Sequence, residues 1–201
     1  MPSEASSRDQ RAASRNALPP RSRIESLRLV KTACWQELER AAREREHGWR
    51  IMTLATVEGE QAHARSVTLR GADAAAQRLV FYTDDRSPKL AQMKRNPLGT
   101  LLAWCRQLSW QVRLQVRLVQ ETDASLVSER WARLRMTPAA QDYLSPLAPG
   151  EPLTHPGQER GSREHFSIVN AEVLSLDWLE LHPEGHRRAL FSAGGPQWVQ
   201  P

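Results

Sequence analysis

The residues best suited to chemistry crowd into one stretch, FYTDDRSPKLAQM, residues 81–93. A β-rich run ends there and a polar turn carries Arg86. A helix then opens with Ser87 at its cap, Pro88 at its first position and Lys89 in its first turn. Helix N-termini present free N–H groups and the positive end of the helix dipole, so a hydroxyl and two cations at that place make a site for an anion. The same residues would also serve as an ordinary capped helix start with solvated cations, and the segment alone does not separate the two readings. Other chemistries lack their minimal features, since the chain has no GxGxxG, Walker lysine loop, GxSxG elbow or HExxH. His182 and His186 are four apart, but Pro183 and Gly185 break the helix that would align them, and no metal site is expected.

The elements around this stretch read mainly as strands. Ser22 and Glu25 have capping-box spacing, and Ile24, Leu27, Val30, Cys34, Leu38 and Ala41 recur every three or four residues, which predicts a one-faced helix from Ser22 to about Arg45. From Trp49 the period changes: residues 49–57 and 61–70 flank Glu58-Gly59 as a hairpin, and residues 78–84 supply a third strand. The helix after Ser87 stops at Asn96-Pro97. Residues 99–105 and 110–119 follow as strands, the second alternating Trp110, Val112, Leu114, Val116 and Leu118 with polar residues that include Gln111, Arg113 and Arg117. A helix is predicted over about 123–134, a long Pro- and Gly-rich loop over 137–165, and two or three closing strands from residue 166. Strands in the middle and at the end, with helices at the margins, predict a mainly β fold with accessory helices: an antiparallel barrel.

At 201 residues the length fits one domain, and the 40% apolar content fits a folded chain. No apolar run is long enough for a membrane helix and the first twenty residues lack a signal-peptide core, so a cytoplasmic address is expected. Cys34 and Cys105, each in an apolar pattern, read as buried reduced thiols. The net charge of +5 is concentrated at the start, where residues 1–23 hold five arginines against Glu4 and Asp9. Residues 1–21 therefore read as a mobile basic tail and 22–201 as the domain, with no specific nucleic-acid partner. A reading as an interaction protein that uses this tail on acidic partners stays open, and predicts salt-sensitive association that is lost with the tail.

Three motifs in order change the balance at the anion site. Arg65-Ser66-Val67-Thr68-Leu69-Arg70-Gly71, then Phe81-Tyr82-Thr83 with Ser87-Pro88-Lys89, then Gln111-Val112-Arg113 resemble the pyridoxamine 5'-phosphate oxidase family of FMN-binding split barrels. Trp178 and the run His186-Arg187-Arg188 with Phe191 are similar to that family's carboxy-terminal pattern, and the resemblance extends from about Trp49 to Pro201. It implies an antiparallel split barrel, FMN as cofactor, a homodimer with flavin at the subunit interface, and an oxidoreductase that transfers hydride to FMN. It further implies that residues Arg65 through Arg70 line the flavin, that Tyr82, Thr83, Ser87 and Lys89 hold its phosphate end with Arg86 as a substitute cation, and that Gln111, Trp178 and Arg188 complete the site. Arg70, Arg135 and His186 would meet the substrate. Period-two geometry sets Arg65 and Arg70 on opposite faces, so one ligand could meet both only through a bulge or an interface site.

The chain departs from the family where substrate phosphate would bind. Trp131 and Ala139 stand where the resemblance implies hydroxyls, and Glu184 stands in place of an arginine. These exchanges argue against pyridoxamine phosphate as the true substrate. Related split barrels that hold a deazaflavin or haem, or that store flavin without turnover, are the alternatives within the fold.

Overall fold

The computed structural model describes residues 23–155 and 164–201; the predicted basic tail lies outside these, as does Ser22. Helix α1 (Leu27–Arg43) buries Val30, Cys34, Trp35, Leu38 and Ala41, the face set by its three-and-four spacing, against β2, β7 and β8. It starts later than the capping-box spacing predicts: the cap residue is Ser26, which makes no side-chain cap bond. Instead Arg187 Nη1 donates to Ile24 O at 3.0 Å and Arg23 donates to Glu180, so long-range bonds tie down the residues before the helix. At the turn into β1, a Cβ on Gly48 would stand 2.8 Å from Cys105 Cα, and only glycine allows that approach.

Eight antiparallel strands follow: β1 (Ile51–Glu58), β2 (Gln61–Asp73), β3 (Arg78–Asp84), β4 (Leu98–Cys105), β5 (Trp110–Gln120), β6 (Phe166–Glu180), β7 (Arg187–Ser192) and β8 (Gly195–Val199). Their order is β3-β2-β1-β4-β5-β6-β7-β8, and β3 also pairs with β6, closing six strands into a barrel that β7 and β8 extend. Alternation explains the interior. Met52 and Leu54, Leu79 and Phe81, and Val112, Leu114 and Val116 point inward and are buried. Trp110 joins Trp49 and Trp178 in this core, with ring centroids 6.4 and 5.3 Å apart. Cys34 and Cys105 are both buried and unpaired, and burial pushes the Cys34 thiol far above its ordinary pKa.

Helix α2 (Pro88–Arg95) packs on β1 and β5. Helix α3 (Ala124–Leu134) is capped by Asp123, whose carboxylate accepts from the Ser125 and Leu126 amides. The segment expected to be loop throughout contains a 3-10 turn, Pro138–Tyr143. With Trp131, Leu134 and Ala140, its Tyr143 forms a second small core outside the barrel. Among the described residues no helix is long and apolar enough to cross a membrane.

Candidate functional site

The anion stretch folds into a knot of hydroxyls, amides and two cations at the barrel end covered by α2. Lys89 Nζ donates to Thr83 Oγ1 and Ser87 Oγ, both at 2.7 Å. Ser87 occupies the cap position of α2 but makes no side-chain cap bond, because its hydroxyl is turned to Lys89. Beside it, Arg65 Nη2 donates to Gln92 Oε1 at 2.7 Å and Arg65 Nη1 to Thr56 Oγ1 at 2.6 Å. Thr56 in turn donates to Gln92 Oε1 at 2.8 Å. Neither cation has a carboxylate within salt-bridge distance among the described residues. Burial, and then repulsion from Arg65, hold the Lys89 ammonium below its usual pKa against the pull of Asp84; burial does the same to Arg65. Two partly desolvated cations set side by side on neutral partners fit a dianionic phosphate, which would relieve both the desolvation and the repulsion.

Thr56 and Gln92 were missed by the sequence reading. A signal for them exists: each is a polar residue at an inward position, Thr56 in register with Met52 and Leu54, and Gln92 between the buried Leu90 and Met93. Arg86 is placed differently from the expectation. It grips Asp84, with Nη2 to Oδ2 at 2.7 Å, and donates to the carbonyls of Ser145, Pro146 and Leu147. Its bonds are therefore those of a loop clamp, and Lys89 and Arg65 are the cations of the knot.

The β2 segment divides between two places. Arg65, Val67 and Leu69 face the barrel interior side, the latter two as core, while Ser66 and Thr68 lie on the outer face opposite Thr53 and Ile51. The register slips between Leu69 and Gly71, so Arg70 is a bulge residue. Its guanidinium carbon stands 5.7 Å from the centroid of the Tyr82 ring, and its charge also acts on the Tyr143 hydroxyl. Tyr82 and Thr83, adjacent in sequence, consequently serve opposite faces of β3.

Arg70 borders a cavity of about 240 Å³ lined also by Arg50, Tyr82, Arg130 and Arg133, with no acidic side chain in its wall. Arg50 is partly offset by its bonds to the Ala41 and Ala42 carbonyls at the end of α1, and Arg133 by Glu129 at 2.7 Å. The Arg70 Nε is buried without a partner, an unmet donor beside this cavity. Arg135, expected as the clamp, is instead the exposed C-cap of α3 and does not line the cavity. His186 lies in the β6–β7 turn, where its Nδ1 accepts from the His182 amide at 3.1 Å, and it does not reach Arg70's cavity either. Two larger cavities, about 300 and 430 Å³, lie between α1 and the β6–β8 edge over Trp35 and Phe191, and neither includes any residue of the knot.

The remaining expected residues sit on the outer sheet face or under it. Gln111 pairs with Leu179, which pairs with Arg188, so Gln111 and Arg188 share one row of that face. Trp178 is fully buried beneath it with an unpartnered Nε1. Along the same face Ile51, Leu98, Leu102 and Trp104 are exposed, forming an apolar strip on β1 and β4.

A closed antiparallel barrel with accessory helices has the architecture of FMN-binding split barrels. Residues 32–120 match the family described as pyridoxamine 5'-phosphate oxidase, FMN-binding domain. Over that stretch the chain resembles the pyridoxamine 5'-phosphate oxidase-like family, whose matched domain binds FMN. A pyridoxine/pyridoxamine 5'-phosphate oxidase of Acaryochloris marina is 38% identical over 74 residues, which is 36% of this chain and 33% of that protein. The chain thus spans about a third of the length of the curated relatives it matches. Two solved structures share the fold. A pyridoxamine 5'-phosphate oxidase-related, FMN binding protein of Nostoc punctiforme superposes with a TM-score of 0.67 at 22% identity, covering 85% of this chain and 96% of that one. PhzG of Burkholderia lata, in complex with tetrahydrophenazine-1-carboxylic acid, gives 0.69 at 15% identity, covering 92% and 98%.

Proposed function

We propose that the chain is a cytoplasmic, homodimeric FMN-dependent oxidoreductase acting on a small anionic substrate other than pyridoxamine phosphate. The observation that carries the cofactor assignment is the pair Arg65 and Lys89, two half-buried cations hydrogen-bonded only to neutral partners. In this reading Lys89, Thr83, Ser87, Arg65 and Gln92 hold the ribityl phosphate. FMN when bound supplies hydride acceptance and onward electron transfer, and the protein supplies position, electrostatics and exclusion of water. Arg70, Arg130 and Arg133 hold the anionic group of the substrate. Trp131 and Ala139 remove the hydroxyls that the resemblance implies for a vitamer phosphate, which supports a different anion.

The apolar strip of Ile51, Leu98, Leu102 and Trp104 supports the homodimer, since an exposed sheet face of this kind marks an interface. Gln111 and Arg188 stand on that same face, away from the knot within one chain, so a partner subunit would bring them to the flavin. The two free, buried cysteines agree with a reducing compartment.

The test is an FMN titration of the purified protein followed by flavin fluorescence, with Lys89→Ala alongside. Removal of one charge-assisted contact should weaken binding by about 10- to 100-fold, while far-UV circular dichroism stays unchanged. Equal affinity in the variant would remove the knot as the phosphate site.

A further inference from the structure

On the outer sheet face a carboxylate is buried where the neighbouring positions are half-exposed. Asp177 on β6 is 6% exposed and takes Arg188 in a two-pronged grip, Nε to Oδ1 at 2.9 Å and Nη2 to Oδ2 at 2.7 Å. Arg113, its register partner on β5, donates to the same Oδ2. Burial pushes the Asp177 carboxyl up, but the bonds and charges of Arg188 and Arg113 outweigh it and hold the group below its ordinary pKa. Arg188 Nη1 makes no hydrogen bond among the described residues, and the side chain remains 32% exposed. One prong of the fork therefore faces outward while the other two are fixed.

We propose that Asp177 is a positioning residue that fixes Arg188 toward the flavin and offsets part of its charge there. This rests on the FMN reading above, in which Arg188 meets the isoalloxazine or its side chain. A guanidinium on a long flexible stem loses rotamer freedom when it orders a ligand, and a carboxylate that pre-orders it removes that cost from the binding step. A cation beside the isoalloxazine favours its reduced, more negative form, and a carboxylate on that cation opposes the effect. Asp177 thus both tightens FMN binding and lowers the flavin's reduction potential. A purely structural ion pair would do neither.

The experiment compares wild type, Asp177→Asn, Arg188→Gln and the double variant, measuring the FMN dissociation constant by fluorescence and the midpoint potential by spectroelectrochemistry. Asp177→Asn should raise the dissociation constant about 10-fold, the usual scale for a residue that orients a ligand-holding side chain, and move the potential upward. In the Arg188→Gln background the same substitution should change neither quantity. Unchanged values in Asp177→Asn, or an effect that persists without Arg188, would overturn the proposal while leaving FMN binding intact. A wild-type protein that takes up no FMN would overturn this proposal together with the cofactor reading. If Asp177→Asn does not fold, Arg188→Lys, which keeps the charge but loses the fork, is measured instead. It should bind FMN about 10-fold more weakly, and wild-type affinity would overturn the proposal.

Discussion

Lys89 Nζ stands 2.7 Å from Thr83 Oγ1, joining the first turn of α2 to the end of β3 across the polar turn between them. The bond gives a half-buried ammonium a neutral acceptor, so no carboxylate neutralises its charge. Lys89 is thereby held ready at a cost in stability, which sets the first of the following expectations.

The Lys89 pKa is lowered from 10.5, by burial first and by Arg65 second. Between its folded value and 10.5 the unfolded chain binds more protons than the folded one, so stability of the FMN-free protein rises with pH through that window. Below the folded value the penalty is constant. Thermal melts of apoprotein from pH 7 to 10.5 should show this rising contribution, and Lys89→Met should remove it. A slope identical in both proteins would show that Lys89 titrates normally.

Arg86 clamps Asp84, which is 5% exposed, to the carbonyls of residues 145–147. Arg86→Gln should leave that carboxylate under-satisfied, at about 1–3 kcal/mol, and free the 144–148 segment for faster amide exchange or proteolysis. FMN affinity should fall less than in Lys89→Ala. A larger fall in FMN affinity with no change in exchange would return Arg86 to the phosphate site.

Trp104 and Leu102, 43% and 37% exposed on β4, lie in the strip assigned to the subunit interface. Replacing Trp104 by Arg should halve the particle mass measured by light scattering, from twice to once the 22.8 kDa chain, with the circular dichroism spectrum retained. A wild-type monomer, or a variant that remains dimeric, would place the interface elsewhere.

Much of the barrel was legible locally. Strand β3 falls on residues 78–84 as predicted because its β-rich run is bounded on both sides by turn residues, and β5 follows from the strict alternation of Trp110 through Leu118. The 3-10 turn at Pro138–Tyr143 escaped notice because its packing partners, Trp131 and Phe166, come from elsewhere in the chain. Position α1 also began late: Ser22 and Glu25 have the right spacing, but the segment before Leu27 is held by Arg187 and Glu180, more than 150 residues away.

The order of elements, the inward and outward residues of each strand, and the stretch of chain that gathers hydroxyls and cations at a helix start are consequences of local spacing and were set by the sequence itself. Which cations share a site is a different matter, because a guanidinium reaches several ångströms and its partners are chosen by folding. Tertiary structure alone turned Arg86 to Asp84, paired Arg65 with Thr56 and Gln92, and set Arg70, at the β2 bulge, over the Tyr82 ring. It also brought Arg130 and Arg133, rather than Arg135, to the arginine-lined cavity, since the buried Trp131 and Leu134 fix how α3 is rotated against the barrel.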